Sequence, residues 1–198
     1  MFSNIRLGLT AVMFLLLTGC AGKDFVRPSS DTFKLGQTTY SQVIQKMGEP
    51  SKTGEVLKNE KNVKTATYSY ASTGGEPLEV GVIPARVLLY YFHNGILVGQ
   101  EFLSSFKSDS SNFDESKIPS ISKGKTTREE VAQLLGSPTA TFVYPMANQT
   151  SGEAIGYLYH TTRGGAFGGL KFFSKSLRIT FDDKDIVSEV EYSASGNK

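Results

Sequence analysis

Apolar residues recur along this chain with three rhythms. Residues 7–17 form one almost unbroken apolar run. Two short stretches follow a 3.6-residue period, with Val43, Ile44 and Met47 on one face and Val131, Leu134 and Leu135 on the other stretch's face; each predicts an amphipathic helix. Residues 66–71 (ATYSYA) and 155–161 (IGYLYHT) alternate with a period of two and predict strands. Residues 86–103 and 176–193 predict two hairpins, the first turning at His93-Asn94-Gly95 and the second at Asp182-Asp183-Lys184-Asp185. Both helices carry the same punctuation. Thr39 and Thr127 stand as N-caps, with Gln42 and Glu130 three residues on to complete capping boxes. Gly48 and Gly136 supply left-handed ends, and Pro50 and Pro138 stop the helices.

That shared punctuation is a repeat. Residues 36–50 (GQTTYSQVIQKMGEP) and 124–138 (GKTTREEVAQLLGSP) match at Gly36/Gly124, Thr38/Thr126, Thr39/Thr127, Val43/Val131, Gly48/Gly136 and Pro50/Pro138, at a constant offset of 88. Tyr68/Tyr157, Tyr70/Tyr159 and Phe92/Phe181 continue it at 89. A constant offset across the first stretch points to a duplicated module. Residues 33–35 and 113–118 are expected to add a first short helical turn to each copy. The expected fold is α+β, with two tandem helix–helix–antiparallel-sheet (ααβββ) repeats at 32–103 and 112–193, a linker at 104–111 and a short tail at 194–198.

The Gly-x-Thr-Thr start, the Val four residues after the second Thr, the Leu/Met-Gly-x-Pro stop and the Tyr-rich strand resemble the SmpA/OmlA (BamE) lipoprotein family. The tandem arrangement is similar to that of the β-lactamase inhibitory protein. The first resemblance implies small α+β modules that accompany outer-membrane protein assembly. The chain departs from that pattern in carrying two modules rather than one.

The run at 7–17 is too short to span a bilayer, which needs about 20 residues, and follows a positive end at Arg6. Residues 1–19 therefore predict a signal peptide. It ends in Leu17-Thr18-Gly19-Cys20, which resembles the bacterial lipobox. That resemblance implies cleavage before Cys20, a thioether-linked diacylglycerol on it, and acylation of the new amino terminus. Cys20 is the sole cysteine, so no intrachain disulfide can form. Residues 20–31 are expected to be a polar, lipidated tether. Ala21 after the lipidated residue implies release to the outer membrane, by the same resemblance to lipoproteins.

A formal net charge of +2 points to neither nucleic acid nor an acidic substrate. Chemistry is hard to assemble. His93 is explained as a turn residue, and His160 as a strand residue without clustered ligands. Asp182, Asp183 and Asp185 lack the Gly and terminal Glu of a calcium loop. Lys52-Thr53-Gly54 and Ser122-Lys123-Gly124-Lys125 match serine β-lactamase fragments, but in reversed order and without S-D-N. No enzyme activity, metal or cofactor is expected, apart from the covalent lipid on Cys20.

The two copies differ on one face. Leu89 and Tyr91 stand where the second copy has Arg178 and Thr180, and Leu97 and Val187 are expected to point outward beside them. Copy one thus presents an apolar outer face for the other module, the tether, a loop or an external partner to cover. The connections 71–86 and 161–176 also differ. The second carries Phe167, Lys171, Phe172 and Phe173 on Gly-rich chain. It suits a mobile loop, an extra strand, a partner contact or an anionic headgroup region. Candidate partner residues are therefore Leu89, Tyr91, Leu97, Phe167, Lys171 and Phe172. The expected role is a membrane-anchored scaffold or accessory factor facing the periplasm, whose partners are envelope proteins such as barrel-assembly components. A proteinaceous inhibitor of a hydrolase is the alternative.

Overall fold

The computed structural model describes residues 22–148, 152–165 and 169–197. The apolar run at 7–17, Cys20 and Phe167 lie outside the described residues. Two α-helices are present among the described residues, α1 (Tyr40–Met47) and α2 (Arg128–Leu135). Eight strands follow the chain: β1 (Lys52–Lys58), β2 (Lys61–Ala71), β3 (Ala85–His93), β4 (Ile96–Ser104), β5 (Ala140–Phe142), β6 (Ala154–Gly165), β7 (Gly169–Phe181) and β8 (Val187–Gly196). They form one antiparallel sheet in strict sequence order.

The architecture is α+β, but the ααβββ count needs correction. Among the described residues each copy has one α-helix and four strands. Only a turn follows Phe33 in copy one, whereas copy two has a 3₁₀ helix, Glu115–Ser120, started by Asp114. The extra strand in each copy, β1 or β5, leaves the helix stop at Pro50 or Pro138. Residues 52–58 are mostly exposed and lack alternation, so no periodicity marked them.

Both capping boxes form. The Gln42 amide donates to Thr39 Oγ1 and the Thr39 amide to Gln42 Oε1; Thr127 and Glu130 repeat this. Gly48 and Gly136 both have φ 79°, with ψ of −173° and −165°. That conformation is not the expected left-handed helical one; it is open essentially only to glycine, which fixes the residue type more firmly.

Each helix packs on one face of the sheet. Val43 sits with Phe33, Leu88, Tyr90, Phe92 and Phe102, and Val131 with Ile121, Tyr157, Leu177, Ile179 and Phe181. A β-bulge interrupts each last hairpin, between Tyr91 and Phe92 and between Thr180 and Phe181. Its extra residue reverses the side-chain alternation. Leu97 and Val187, expected to face outward, are instead fully buried on the helix side. Val98 takes the outward place.

The expected tether is also corrected. Gly22 forms a bridge with Tyr70, Phe25 packs on Tyr68, and Arg27 Nη2 donates to the Pro138 carbonyl at 3.2 Å. Copy one therefore begins near residue 22, not 32. Of the alternatives for the connection at 161–176, the strand reading holds for the described residues: they continue β6 and β7, and Phe173 is buried.

Candidate interaction surfaces

The face of the sheet away from the helices carries a third core. Val63, Tyr91 and Val98 from copy one meet Ala140, Phe142, Met146, Ala147 and Ala154 from copy two, with Leu89 packed against them. The apolar face of copy one is thus covered by the second module, through β5 and the residues that follow it. Tyr91 retains only 8% exposure and Leu97 none. This corrects the expectation that Leu89, Tyr91 and Leu97 form an open partner surface: Tyr91 is part of this core, Leu89 is partly buried against it, and Leu97 belongs to the helix-side core. Gly99 permits the closure, because a Cβ there would lie 2.8 Å from Phe142 Cδ1 and 3.2 Å from Tyr91 Cδ2.

Polar groups rim this seam. Arg178 lies 4.5 Å over the Phe142 ring and donates to the Met146 carbonyl. Asn59, in the β1–β2 turn, donates to the carbonyls of Pro145 and Ala147 at 2.9 and 3.0 Å. Glu101 accepts from the Tyr91 hydroxyl. Burial pushes the Glu101 carboxyl above its ordinary range, against the opposing pull of that hydroxyl, Arg178 and Lys58. Burial also raises the Tyr91 hydroxyl, with Glu101 adding to the shift.

A second junction lies at the far end of the sheet. The connection at 72–84 crosses to copy two. The Ile83 amide donates to the Thr162 carbonyl at 2.8 Å, and Val82 bridges Arg163. Arg163 pairs with Glu79 and donates to the Val80 carbonyl, while the Tyr159 hydroxyl donates to Glu79 Oε1 at 2.9 Å. The β6–β7 hairpin projects beside this connection. Lys171 is exposed there, and Phe172 is 51% exposed with its ring 6.2 Å from His160. Of the candidate residues, these two stand on the surface. Leu78 and Val80 are exposed at the same end and were not singled out from the sequence, although the alternation in 78–83 (LEVGVI) carried a signal.

The candidates for chemistry are dispersed. His93 Nδ1 is 3.0 Å from the Asn62 carbonyl oxygen, as suits a hairpin end. Asp182 accepts from the Lys184 and Ile186 amides, closing its own turn. Residues 52–54 open the edge strand β1, and residues 122–125 lie in the turn before α2 of the other module. Among the described residues, no group of three His, Cys, Asp or Glu side chains could hold a metal ion. A hollow of about 430 Å³ beside α2 is open and lined by Ser120, Ser122, Lys125, Glu130 and Leu134. Among the described residues no helix is long and apolar enough to cross a membrane.

No curated protein matches this chain. A crystal structure of a candidate β-lactamase inhibitor protein from Streptococcus mutans aligns with it at 11% identity and a TM-score of 0.40, covering 79% of this chain and 82% of that one. Residues 112–191, the second module, match the family model described as the outer membrane protein assembly factor BamE domain, so a BamE-like architecture is present in this chain.

Proposed function

We propose that this protein is a non-enzymatic lipoprotein, held by acyl chains on Cys20 at the periplasmic side of the outer membrane, that serves as an accessory scaffold in outer-membrane protein assembly. The match of residues 112–191 to the BamE domain carries this reading. The first module supports it by sharing hydrogen bonds with the second on the helix side of the sheet. Tyr68 and Tyr157 each donate to a helix-end glycine carbonyl, Gly48 or Gly136, at 2.8 Å. Arg86 and Lys175 each reach back to the carbonyl of a leading Phe, Phe25 or Phe113. The shared seam locks the pair into one continuous sheet, which offers partners a rigid surface.

The acyl anchor confines the scaffold to the membrane on which barrel proteins are assembled. One methylene contributes about 0.8 kcal/mol when buried, and stable anchoring takes more than one chain. Photo-crosslinking in cells tests the partner reading, with the reactive residue at the exposed positions Leu57, Lys171 and Tyr192. Adducts with barrel-assembly components are the expected result. Adducts with a hydrolase alone would replace this reading with an inhibitor. Cys20→Ser is expected to leave folding intact and move the protein out of the membrane fraction.

A further inference from the structure

Strand directions place several features at one end of the sheet. β2, β4, β6 and β8 finish there, and β3 and β7 begin there. The connection at 72–84 caps that end and touches the β6–β7 hairpin: a Cβ at Gly164 would lie 3.6 Å from Ile83 Cδ1 and 3.8 Å from Leu170 Cδ2. Gly22 is bound to Tyr70 at the same end. Large apolar side chains are exposed here on both modules: Val80 is 94% exposed, Leu170 58%, and Leu78 and Phe172 are exposed as well.

We propose that this end of the sheet is a lipid-facing surface, with Leu78, Val80, Leu170 and Phe172 entering the interfacial layer of the bilayer. The proposal rests on the acyl-anchor reading of Cys20. Only Ala21 stands between Cys20 and Gly22, and fully extended chain spans no more than about 7 Å over those two steps. Because Gly22 is paired to β2 and Phe25 and Arg27 are docked behind it, the leader supplies no slack. An anchored chain must therefore hold the Tyr70 end of the sheet against the bilayer. A folded partner domain, with a radius of gyration of about 13 Å for 100 residues, does not fit into that gap, so lipid is the occupant.

The charges at this end agree. Glu76 pairs with Lys107 at 2.6 Å, Glu79 with Arg163, and Asp24 and Asp109 with Arg86 at 3.6 and 3.4 Å. Lys23 and Lys171 form no ion pair among the described residues, leaving two ammonium groups for anionic headgroups.

The test uses the full acylated chain in vesicles of phosphatidylethanolamine and phosphatidylglycerol. Single cysteines replace Val80, Leu170 or, at the opposite end, Leu57, and each carries a polarity-sensitive fluorophore. Nitroxide-bearing lipids are expected to quench the labels at 80 and 170 several-fold more than the label at 57. Equal quenching at all three positions, or none at 80 and 170 while the protein floats with the vesicles, would overturn the proposal. Flotation separately reports the anchor: protein that stays unbound shows that the acyl reading has failed, and the orientation falls with it. Quenching at 80 and 170 that appears only after a partner protein is added also overturns it.

Discussion

On the helix side of the sheet the two modules are built from the same contacts; on the other side they are complementary rather than alike. The shared side repeats the capping boxes, the Tyr-to-glycine hydrogen bonds and the buried cation on the third strand. Even the environments agree: burial pushes the Tyr68 and Tyr157 hydroxyls up to about 12. On the other side, Leu89 and Tyr91 of copy one face the seam where Arg178 and Thr180 stand in copy two. Copy one contributes apolar surface, and copy two contributes the segment that covers it, with Arg178 gripping that segment at Phe142 and Met146. A duplicated fold can diverge in this way because a strand's two faces are independent. One face must keep its helix-packing residues while the other is free to become an interface.

The sharpest way to break the comparison is at Tyr91. Tyr91→Ala should cost about 3 kcal/mol, because it empties the seam core. At the equivalent place in copy two the sign reverses. Thr180 Oγ1 is buried with no hydrogen-bond partner among the described residues, so Thr180→Val should stabilise by about 1 kcal/mol. Denaturant unfolding of both variants measures the pair of effects.

The buried cations come next. Lys175 is 6% exposed, donates to the Phe113 carbonyl and Glu115, and lies 4.5 Å over the Phe113 ring. Lys175→Met should cost about 2 kcal/mol by stranding those acceptors. Arg86→Met should have a comparable cost and, in addition, loosen the leader at Phe25. Limited proteolysis would read that as cleavage within residues 23–31 that Lys175→Met does not produce.

The caps should sharpen the likeness. Thr39→Ala and Thr127→Ala should each lower stability by about 1 kcal/mol, equally within error by thermal unfolding. A clear inequality would mean that the two boxes are not equivalent.

The smallest effect concerns Glu101, which pairs across the strands with Leu89 as its counterpart Glu191 pairs with Arg178; Glu191 is exposed, whereas Glu101 lies at the seam. Its carboxyl is held above the ordinary value of 4.5, chiefly by burial. The ionised form is therefore disfavoured in the fold, and stability declines as pH rises from 4.5 through the raised value. Glu101→Gln should stabilise at neutral pH, and the gain should vanish below pH 4.5. Unfolding curves at pH 4 and pH 7 check this; a gain that is independent of pH would assign the effect to packing instead.

Much of the helix side was legible because it rests on local rules. Thr39, Gln42 and Gly48, with their partners 88 residues on, specify capped helices from neighbouring backbone groups alone. The Asn94-Gly95 turn likewise forms, with Asn94 at φ 50°. The seam was less legible. The contrast of Leu89 and Tyr91 with Arg178 and Thr180 pointed to a covered face, yet the choice between the second module and an outside partner depended on where residues 140–147 fold. Leu97 and Val187 turn inward, against the strand alternation, because a single bulge residue shifts it. The docking of residues 22–27 leaves no local signal because its anchors, Tyr68, Tyr70 and Pro138, are distant in sequence.

By itself the sequence determined the repeated pattern, the two capped helices, the Tyr-rich strands and the hairpins. Each of these follows from residue spacing within one turn, one strand or one repeat. Only the tertiary structure decided that the two sheets join through three residues of β5, that the outer apolar face is closed, and that the leader is bound at one end. Those features depend on backbone approach and bulge register between segments far apart in sequence, where no local period carries the information.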